Sequence, residues 1–294
     1  MRLTDRRYAL LLAAPAALFL LAFVAWPLVR LVYDSLFDIQ PIAGAREFIG
    51  LDNYARIFVS PDFLGAAGRT AAYTVIVVVF EFVLGFAVAL LFTALGKRSA
   101  LFRTIFLYPL MIAPVVAGLL WRFLLMDNIG IVNDLLYRVG LLSSPGDIGW
   151  LSDPDIVLWS VAIPDIWLTT SFMTLVLFAG LQNVPGDVLE AARLDGARFP
   201  TLLARIIIPL LRPVIAVALI VRGIDAAKAF DIILIQTGGG PQNASQTLSL
   251  LIHQTMVRYG DPGQASAMGT VYLLAMMLVA GLAVWFIWRP GAQS

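Results

Sequence analysis

The sequence has little charge, no cysteine and one histidine. Charged residues make up 13% of the 294 residues, hydrophobic residues make up 60%, and the mean hydropathy is +0.88. Soluble globular proteins carry about 25% charged residues, so this composition excludes that class and indicates a multi-pass membrane protein. The absence of cysteine excludes disulfides and thiolate metal sites. A net charge of +1 gives no field that would attract nucleic acid.

The sequence also lacks the residues of common catalytic sites. No G-x-x-x-x-G-K-[ST] phosphate loop occurs, because Gly238 to Gly240 are followed by Pro and Gln. His253 is interpreted as an ordinary polar residue rather than as a ligand. We therefore predict no catalytic residue, no metal site and no cofactor on this chain.

Six apolar runs are long enough to cross a bilayer, for which about 20 residues suffice. The first follows a basic head, as in a secretory signal, but its length favours an uncleaved helix. The predicted fold class is an all-α membrane protein with one transmembrane domain over residues 1–294. The predicted spans cover residues 8–33, 70–95, 104–126, 155–181, 210–235 and 265–288.

Lysine and arginine are more frequent in the connections that share a side with the N-terminus. That bias predicts a cytoplasmic location for both termini and for the connections between spans two and three and between spans four and five. The inner set is Arg2, Arg6, Arg7, Lys97, Arg98, Arg103, Arg193, Arg198, Arg205, Arg212 and Arg289. The outer set is Arg46, Arg56, Arg69, Arg138 and Arg258.

The inner stretch from Pro185 to Pro213 combines a high density of charge with interleaved apolar residues. Asp187 and Glu190 have the spacing of a capping box, so a helix is expected to start there. Gly196 suits a left-handed helix end, and Pro200 suits the first turn of a second helix, which Pro209 is expected to end. The pattern predicts a two-helix elbow over residues 185–209 that docks on a partner. The alternative is a solvated loop.

The run EAARLDGA followed by IIIP resembles the EAA signature of permease subunits of importer-type ABC transporters. Four further motifs resemble permeases of the maltose and glycerol-3-phosphate type. Ile208 departs from the usual Leu, and Pro200 falls inside the second helix of the signature. The four motifs are GLDNY from Gly50, AFD from Ala229, TGGGP from Thr237 and GQASAMG from Gly263.

This resemblance implies that the chain is half of a carbohydrate pathway in a bacterial inner membrane. Its implied partners are a second homologous permease, two cytoplasmic ATPase subunits that carry the ATP and Mg²⁺, and a periplasmic solute-binding protein. The elbow would contact the ATPase. The coupling residues implied by position are Glu190, Ala191, Ala192, Asp195 and Gly196.

Predicted span five carries Arg222, Asp225, Lys228 and Asp231 at steps of three, with alternating sign. Neighbours at this spacing on one helix are close enough to pair. Ionisable groups at membrane depth generally face a bundle interior or a water-filled path. Two interpretations stay open here: a structural ladder, or a substrate path that binds sugar hydroxyls.

Other intramembrane polar residues are weaker candidates for the path. Asp165, Trp167 and Ser171 lie in predicted span four. Glu81 and Arg122 are weaker candidates as well, and the alternative for them is a plain pairing across spans two and three.

The outer stretch from Thr237 to Gln264 is rich in Gly, Asn and Gln. The resemblance implies that Gly239, Gly240, Pro241 and Gln242 contact the solute-binding protein, and the alternative is a plain connector. From another class, a proton-coupled secondary transporter of a small polar solute is the alternative to an ABC permease. The sequence does not select among neutral sugars, sugar alcohols and phosphorylated sugars.

Overall fold

A computed structural model describes residues 3–41 and 43–287 of the chain. Arg2 and Arg289, two of the predicted inner basic residues, lie outside the described residues. The side chains of Arg6, Arg7 and Lys97 lie outside the described part as well.

The regular secondary structure of the described chain is helical apart from one hairpin. The first half contains α1 (Leu3–Leu20), α2 (Trp26–Asp34), β1 (Phe37–Gln40), β2 (Ala45–Phe48), α3 (Asp52–Val59), α4 (Pro61–Leu95), α5 (Ala100–Phe106), α6 (Pro114–Leu124) and α7 (Ile131–Arg138). The second half contains α8 (Val157–Gln182), α9 (Gly186–Leu194), α10 (Phe199–Leu202), α11 (Ile208–Ala227), α12 (Asp231–Gln236), α13 (Leu248–Val257) and α14 (Pro262–Ile287). Turns of π-helix at Leu21–Ala25 and Leu203–Ile207 join α1 to α2 and α10 to α11.

Five helices among the described residues are long and apolar enough to cross a membrane, or six when one bent pair is counted as a span. The prediction of an all-α membrane protein is therefore confirmed. The five are Leu10–Asp34, Pro61–Leu95, Val157–Gln182, Phe199–Ala227 and Pro262–Trp285.

The predicted third span, residues 104–126, is not one straight helix. Its two parts, Ala100–Met111 and Pro114–Leu124, meet at an angle of 95°. Proline restricts the preceding residue to extended backbone, and Ala113 has a ψ of 137°. Pro114 then starts α6, where its missing N–H costs no helical hydrogen bond.

Two boundaries and two connecting stretches also differ from the prediction. The second span starts at Pro61 and is 35 residues long, because the stretch before residue 70 continues the helix. The fifth ends at Ala227 rather than at residue 235. The stretch between predicted spans three and four contains α7, and the stretch between predicted spans five and six contains α13. The motif GLDNY lies at the start of the short helix α3.

Contacts divide the described chain into two compact units. One contains the described parts of residues 1–65 and 251–276, and the other contains residues 66–250 with the described part of 277–294.

The first unit is organised around the β1–β2 hairpin. Asn53 of α3 is buried, and its side-chain amide donates to the carbonyl oxygens of Ser35 and Phe37 at 2.9 and 3.0 Å. The Tyr54 hydroxyl lies 2.6 Å from that of Ser35. Gly263 of α14 approaches so closely that a Cβ would lie 2.1 Å from the Phe37 carbonyl oxygen. Motif residues of GLDNY and GQASAMG thus hold the hairpin.

The second unit contains two apolar clusters. Both include residues of α4, α8 and α11, and one adds the elbow whereas the other adds α12 and α13. The first cluster is Phe86, Ala89, Met173, Leu177, Leu181, Ala192, Leu202, Ile207, Leu211 and Ala218. The second is Tyr73, Val77, Val157, Val161, Ala162, Ala226, Ile233 and Leu250.

The elbow forms with a different cap from the one predicted. Helix α9 starts at Gly186 after Pro185 and has no side-chain cap, so the predicted capping role of Asp187 is wrong. Gly196 has a φ of +79°, which confirms the left-handed turn. Pro200 lies in the first turn of α10 as expected. Pro209 does not end the second helix, because the π-turn before it absorbs the lost hydrogen bond.

We expect Gly263→Ala to destabilise the fold. A methyl group there would collide with the Phe37 carbonyl oxygen, and overpacking of this kind costs about 1–3 kcal/mol. Gly281→Ala is the matched control, because it lies on the same helix with open space around it. Thermal unfolding of the purified protein in detergent should show a lower midpoint for Gly263→Ala and an unchanged or slightly higher one for Gly281→Ala. Equal midpoints for the two variants would contradict the close approach.

Candidate functional site

A buried ionic cluster joins three of the long helices of the second unit. Arg222 of α11 donates from Nε and Nη2 to the two carboxylate oxygens of Glu81 on α4, at 2.6 and 2.8 Å. Nη2 also donates to Oδ1 of Asp165 on α8 at 2.6 Å. Nη1 donates to Oδ2 of Asp225 at 2.8 Å. Every nitrogen of the guanidinium is thus used.

Two hydroxyl groups complete the cluster. The Tyr73 hydroxyl donates to Oδ2 of Asp165 at 3.0 Å. Thr169 donates to Glu81 and lies one turn after Asp165. Neither residue was predicted from the sequence, although the spacing of Tyr73 was a signal. Tyr73 precedes Glu81 by eight positions, so it lies on the same face of α4.

The burial of these groups decides what each can contact. Side-chain exposure is 0% for Glu81, 3% for Arg222 and 8% for Asp165, but 64% for Asp225. A buried charge is tolerated when it is paired and hydrogen-bonded. Glu81, Arg222 and Asp165 satisfy one another, whereas Asp225 keeps one carboxylate oxygen available on an open surface.

The predicted ladder on one helix is therefore wrong in its geometry. Helix α11 ends at Ala227, Lys228 is its C-terminal cap, and Asp231 starts the separate helix α12. Arg222 and Asp225 pair as expected for i and i+3. The stronger partners of Arg222 come from other helices, which spacing along one helix does not reveal.

The alternative that Glu81 pairs with Arg122 is also wrong. Glu81 pairs with Arg222, and Arg122 donates to the carbonyl oxygen of Ile235 at 2.9 Å. Helix α6 packs along α12 at this point, and a Cβ on Gly118 would lie 3.2 Å from the Cα of Ile232. Arg122 thus joins two short helices instead of two carboxylate-bearing spans.

Two cavities adjoin the exposed side of the cluster. Their volumes are about 420 and 230 Å³, and Thr169, Arg222, Asp225 and Lys228 line both. The smaller cavity is also lined by Asp165, Pro114, Phe230 and Asp231.

The smaller cavity lies where two helices are interrupted. Pro114 begins α6 after the 95° bend, and Phe230 precedes α12 after the end of α11. Interrupted helices at membrane depth are tolerated where they line a cavity, and transporters use them at substrate sites. Polar side chains and helix breaks thus meet at one cavity.

Trp167 and Ser171 lie away from these two cavities. Trp167 lines a third, mainly apolar cavity of about 960 Å³, where its ring packs edge-on against Trp121. Ser171 is buried and donates to the carbonyl oxygen of Phe106. The structure therefore brings together Asp165, Arg222, Asp225, Lys228 and Asp231 and separates them from Trp167 and Ser171.

The elbow residues divide between two environments. Ala192 is buried in the apolar cluster formed with α4 and α8. Glu190, Ala191, Asp195 and Gly196 are exposed. Apolar side chains are exposed beside them, with Leu194 at 89% and Phe199 at 60%.

The loop after α12 is a tightly bonded turn. The Ser245 hydroxyl donates to the Gly240 carbonyl oxygen at 2.7 Å and lies 2.8 Å from the Thr237 hydroxyl. Gly239 is buried, so it shapes the loop rather than presenting a surface. Gln242 and Asn243 are exposed at the tip with φ of 49° and 61°.

We expect Arg222→Met to destabilise the protein by about 3–5 kcal/mol, because it leaves Glu81 and Asp165 buried without a counter-charge. Asp225→Asn is the matched control within the same network. Its exposed side chain should change stability by less than about 1 kcal/mol. Thermal unfolding in detergent, followed by circular dichroism, measures both. Comparable losses for the two variants would show that the buried pairs do not govern stability.

The family model for the "Binding-protein-dependent transport system inner membrane component" matches residues 81–289. The sulfoquinovosyl glycerol transport system permease protein SmoG of Agrobacterium fabrum is 37% identical, over 95% of this chain and 90% of the relative. The trehalose/maltose transport system permease protein MalF of Thermococcus litoralis is 33% identical, over 96% and 93%.

Solved structures show the same fold. The crystal structure of a bacterial ABC transporter involved in import of the acidic polysaccharide alginate matches with a TM-score of 0.83 and 23% identity, covering 98% of each chain. A crystal structure of the bacterial alginate ABC transporter with a pentasaccharide-bound periplasmic protein matches with a TM-score of 0.79.

The family match confirms the resemblance stated from the motifs and decides against a proton-coupled carrier. The match covers more than half of the chain and includes α8, the elbow, the charged residues of the ionic cluster and the loop after α12. The chain therefore belongs to the inner membrane components of binding-protein-dependent transport systems, and it is a permease subunit of an ABC transporter rather than an enzyme.

Proposed function

We propose that this chain forms half of the pathway through which an ATP-driven importer passes a carbohydrate. The observation that carries the proposal is its similarity, over more than 90% of its length, to permeases named for sulfoquinovosyl glycerol and for trehalose/maltose transport. A polar cavity at two helix interruptions supports it, because carboxylates and ammonium groups hydrogen-bond well to sugar hydroxyls.

The proposed assembly contains four further subunits. A second homologous permease supplies the other half of the pathway, and a periplasmic solute-binding protein delivers the sugar. Two cytoplasmic ATPase subunits bind the ATP and Mg²⁺, for which this chain has no phosphate loop.

The proposed location is the bacterial inner membrane with both termini in the cytoplasm. The distribution of lysine and arginine supports this orientation. It puts the elbow on the cytoplasmic side and the loop after α12 on the periplasmic side.

The proposed substrate path passes the cavity beside the ionic cluster. Asp225, Lys228 and Asp231 are exposed there and available to hydrogen-bond a sugar. Arg222 and Asp165 act by holding Asp225 and the three helices in position. Trp167 and Ser171 lie outside this cavity, so we assign them to packing.

The proposed ATPase contact is the exposed face of α9 and the turn after it. Glu190, Ala191 and Asp195 lie on that face, and Gly196 makes the turn. Ala192 and the first apolar cluster connect this face to α4, α8 and α11. A push on the elbow would therefore reach the helices that carry the ionic cluster.

The proposed contact for the solute-binding protein is the loop after α12. Gln242 provides an exposed amide at the tip, and Gly240 and Pro241 shape the approach to it. The side-chain bonds of Thr237 and Ser245 keep this surface in one conformation.

Uptake by the reconstituted transporter tests the function. The chain and its partners are reconstituted in proteoliposomes, with ATP enclosed in the lumen and the solute-binding protein added outside. These vesicles are expected to accumulate labelled trehalose or maltose. Vanadate should stop uptake, and a protonophore should leave it unchanged. Uptake of no sugar, with ATP-dependent uptake of an amino acid instead, would overturn the proposal.

We expect Glu190→Lys to uncouple ATP hydrolysis from uptake, because it reverses the charge of an exposed carboxylate on the proposed ATPase contact. Uptake should fall at least about tenfold, which corresponds to 1.4 kcal/mol, while the ATPase subunits keep their basal hydrolysis. Glu47→Lys on the hairpin is the control, because it makes the same charge change at an exposed site far along the chain. Full uptake by Glu190→Lys would refute this role.

A further inference from the structure

The charges around the cavity beside α12 are unequal in sign. Among the described residues that line it, Asp165, Asp225 and Asp231 are acidic, and Arg222 and Lys228 are basic. Glu81 lies behind Arg222 and adds another carboxylate to the cluster. With these groups in their usual ionised states, four carboxylates face two cations.

The arginine is not available to an anionic substrate. Its three nitrogens already donate to Glu81, Asp165 and Asp225 at 2.6 to 2.8 Å. Its side chain is 3% exposed, so an incoming phosphate, sulfonate or carboxylate would have to displace one of these three carboxylates. Displacing Glu81 or Asp165 would leave a buried carboxylate without a partner, which is costly, and displacing Asp225 would bring the anion against that exposed carboxylate.

The exposed groups that remain are two carboxylates and one ammonium group. Asp225, Asp231 and Lys228 are exposed at the cavity. Lys228 forms no ion pair among the residues that the structure describes. Lys228 offsets one carboxylate, and Asp225 shares the single charge of Arg222 with Glu81 and Asp165. The surface that a solute meets therefore keeps an excess of negative charge.

We propose that this permease, unlike the Agrobacterium relative named for the sulfonated sugar derivative sulfoquinovosyl glycerol, passes uncharged carbohydrates and excludes anionic sugar derivatives, with Asp225 as the main determinant of this selectivity. The inference rests on the proposed sugar path through this cavity. Carboxylates accept hydrogen bonds from neutral sugar hydroxyls, and at short range they repel a second carboxylate.

Asp225 suits a selectivity role because it belongs to both cavities beside the cluster and is 64% exposed. Arg222 fixes one of its carboxylate oxygens at 2.8 Å, and no other hydrogen bond of that carboxylate is seen among the described residues. Arg222 is thus a positioning residue, and Asp225 is the group that contacts the solute.

The experiment compares trehalose with the same disaccharide oxidised at one C6 to a uronate, in the reconstituted transporter. Uptake of each probe is divided by the fraction of solute-binding protein that carries the probe. That fraction is calculated from the affinity, which is measured in parallel by titration calorimetry. Equilibrium dialysis against the transporter without the solute-binding protein gives a second measure that is independent of delivery.

The wild-type transporter should favour trehalose over the uronate at least about tenfold in both measurements. Asp225→Asn should reduce that preference about tenfold, the order expected for removing one charge near the path. The variant keeps Arg222 paired with two buried carboxylates, so it is expected to fold. Asp155→Asn is the control, since it removes an exposed carboxylate that lines neither cavity.

The outcomes separate this inference from the proposed function. Equal handling of the two probes by the wild type, with normal ATP-dependent uptake, would overturn the charge selectivity and leave the carbohydrate function standing. An unchanged preference in Asp225→Asn would overturn the assignment to Asp225. ATP-dependent uptake of neither probe nor of any other sugar would reject the function itself.

Discussion

The pairing of Arg222 with Glu81 and Asp165 is the constraint on which the second unit depends. Each of these residues lies between members of the two apolar clusters along its own helix: Glu81 between Val77 and Phe86, Asp165 between Ala162 and Met173, and Arg222 between Ala218 and Ala226. Apolar packing alone lets helices slide or rotate against each other. A two-point contact between a guanidinium and a carboxylate fixes both the axial position and the rotation of the two helices. An unpaired charge at this depth is expensive. The cluster therefore sets the register of α4, α8 and α11.

This register also determines the polar cavity. With Arg222 held by buried carboxylates, Asp225 one turn later faces outward, and the end of α11 at Ala227 exposes Lys228 and Asp231 beside it. The break at Pro114 opens the same cavity from α6. A continuous fifth span would have buried or dispersed these groups. The interruption of two helices concentrates them where a polar solute can reach them.

The first unit and the elbow show what the signature motifs do in the fold. Asn53 of GLDNY donates to two backbone carbonyl oxygens of the hairpin region. Gly263 of GQASAMG allows the approach of α14 to Phe37. In the elbow, Gly196 makes the turn, and Ala192 packs inward on the spans. These residues are mostly structural, and the groups proposed to meet partners or substrate are their exposed neighbours.

The sequence by itself determined the membrane class, the approximate positions of the spans, the left-handed turn at Gly196 and, through the EAA signature, the family. Hydrophobicity, glycine geometry and short motifs are local properties, so they can be read along the chain. The tertiary structure decided the partners of Arg222, the bend before Pro114, the end of α11 and the roles of Tyr73 and Thr169. Local spacing predicted a ladder on one helix, but Arg222 pairs with residues 141 and 57 positions away. Such contacts arise when distant helices pack together, because a buried charge takes the counter-charge that packing brings to it.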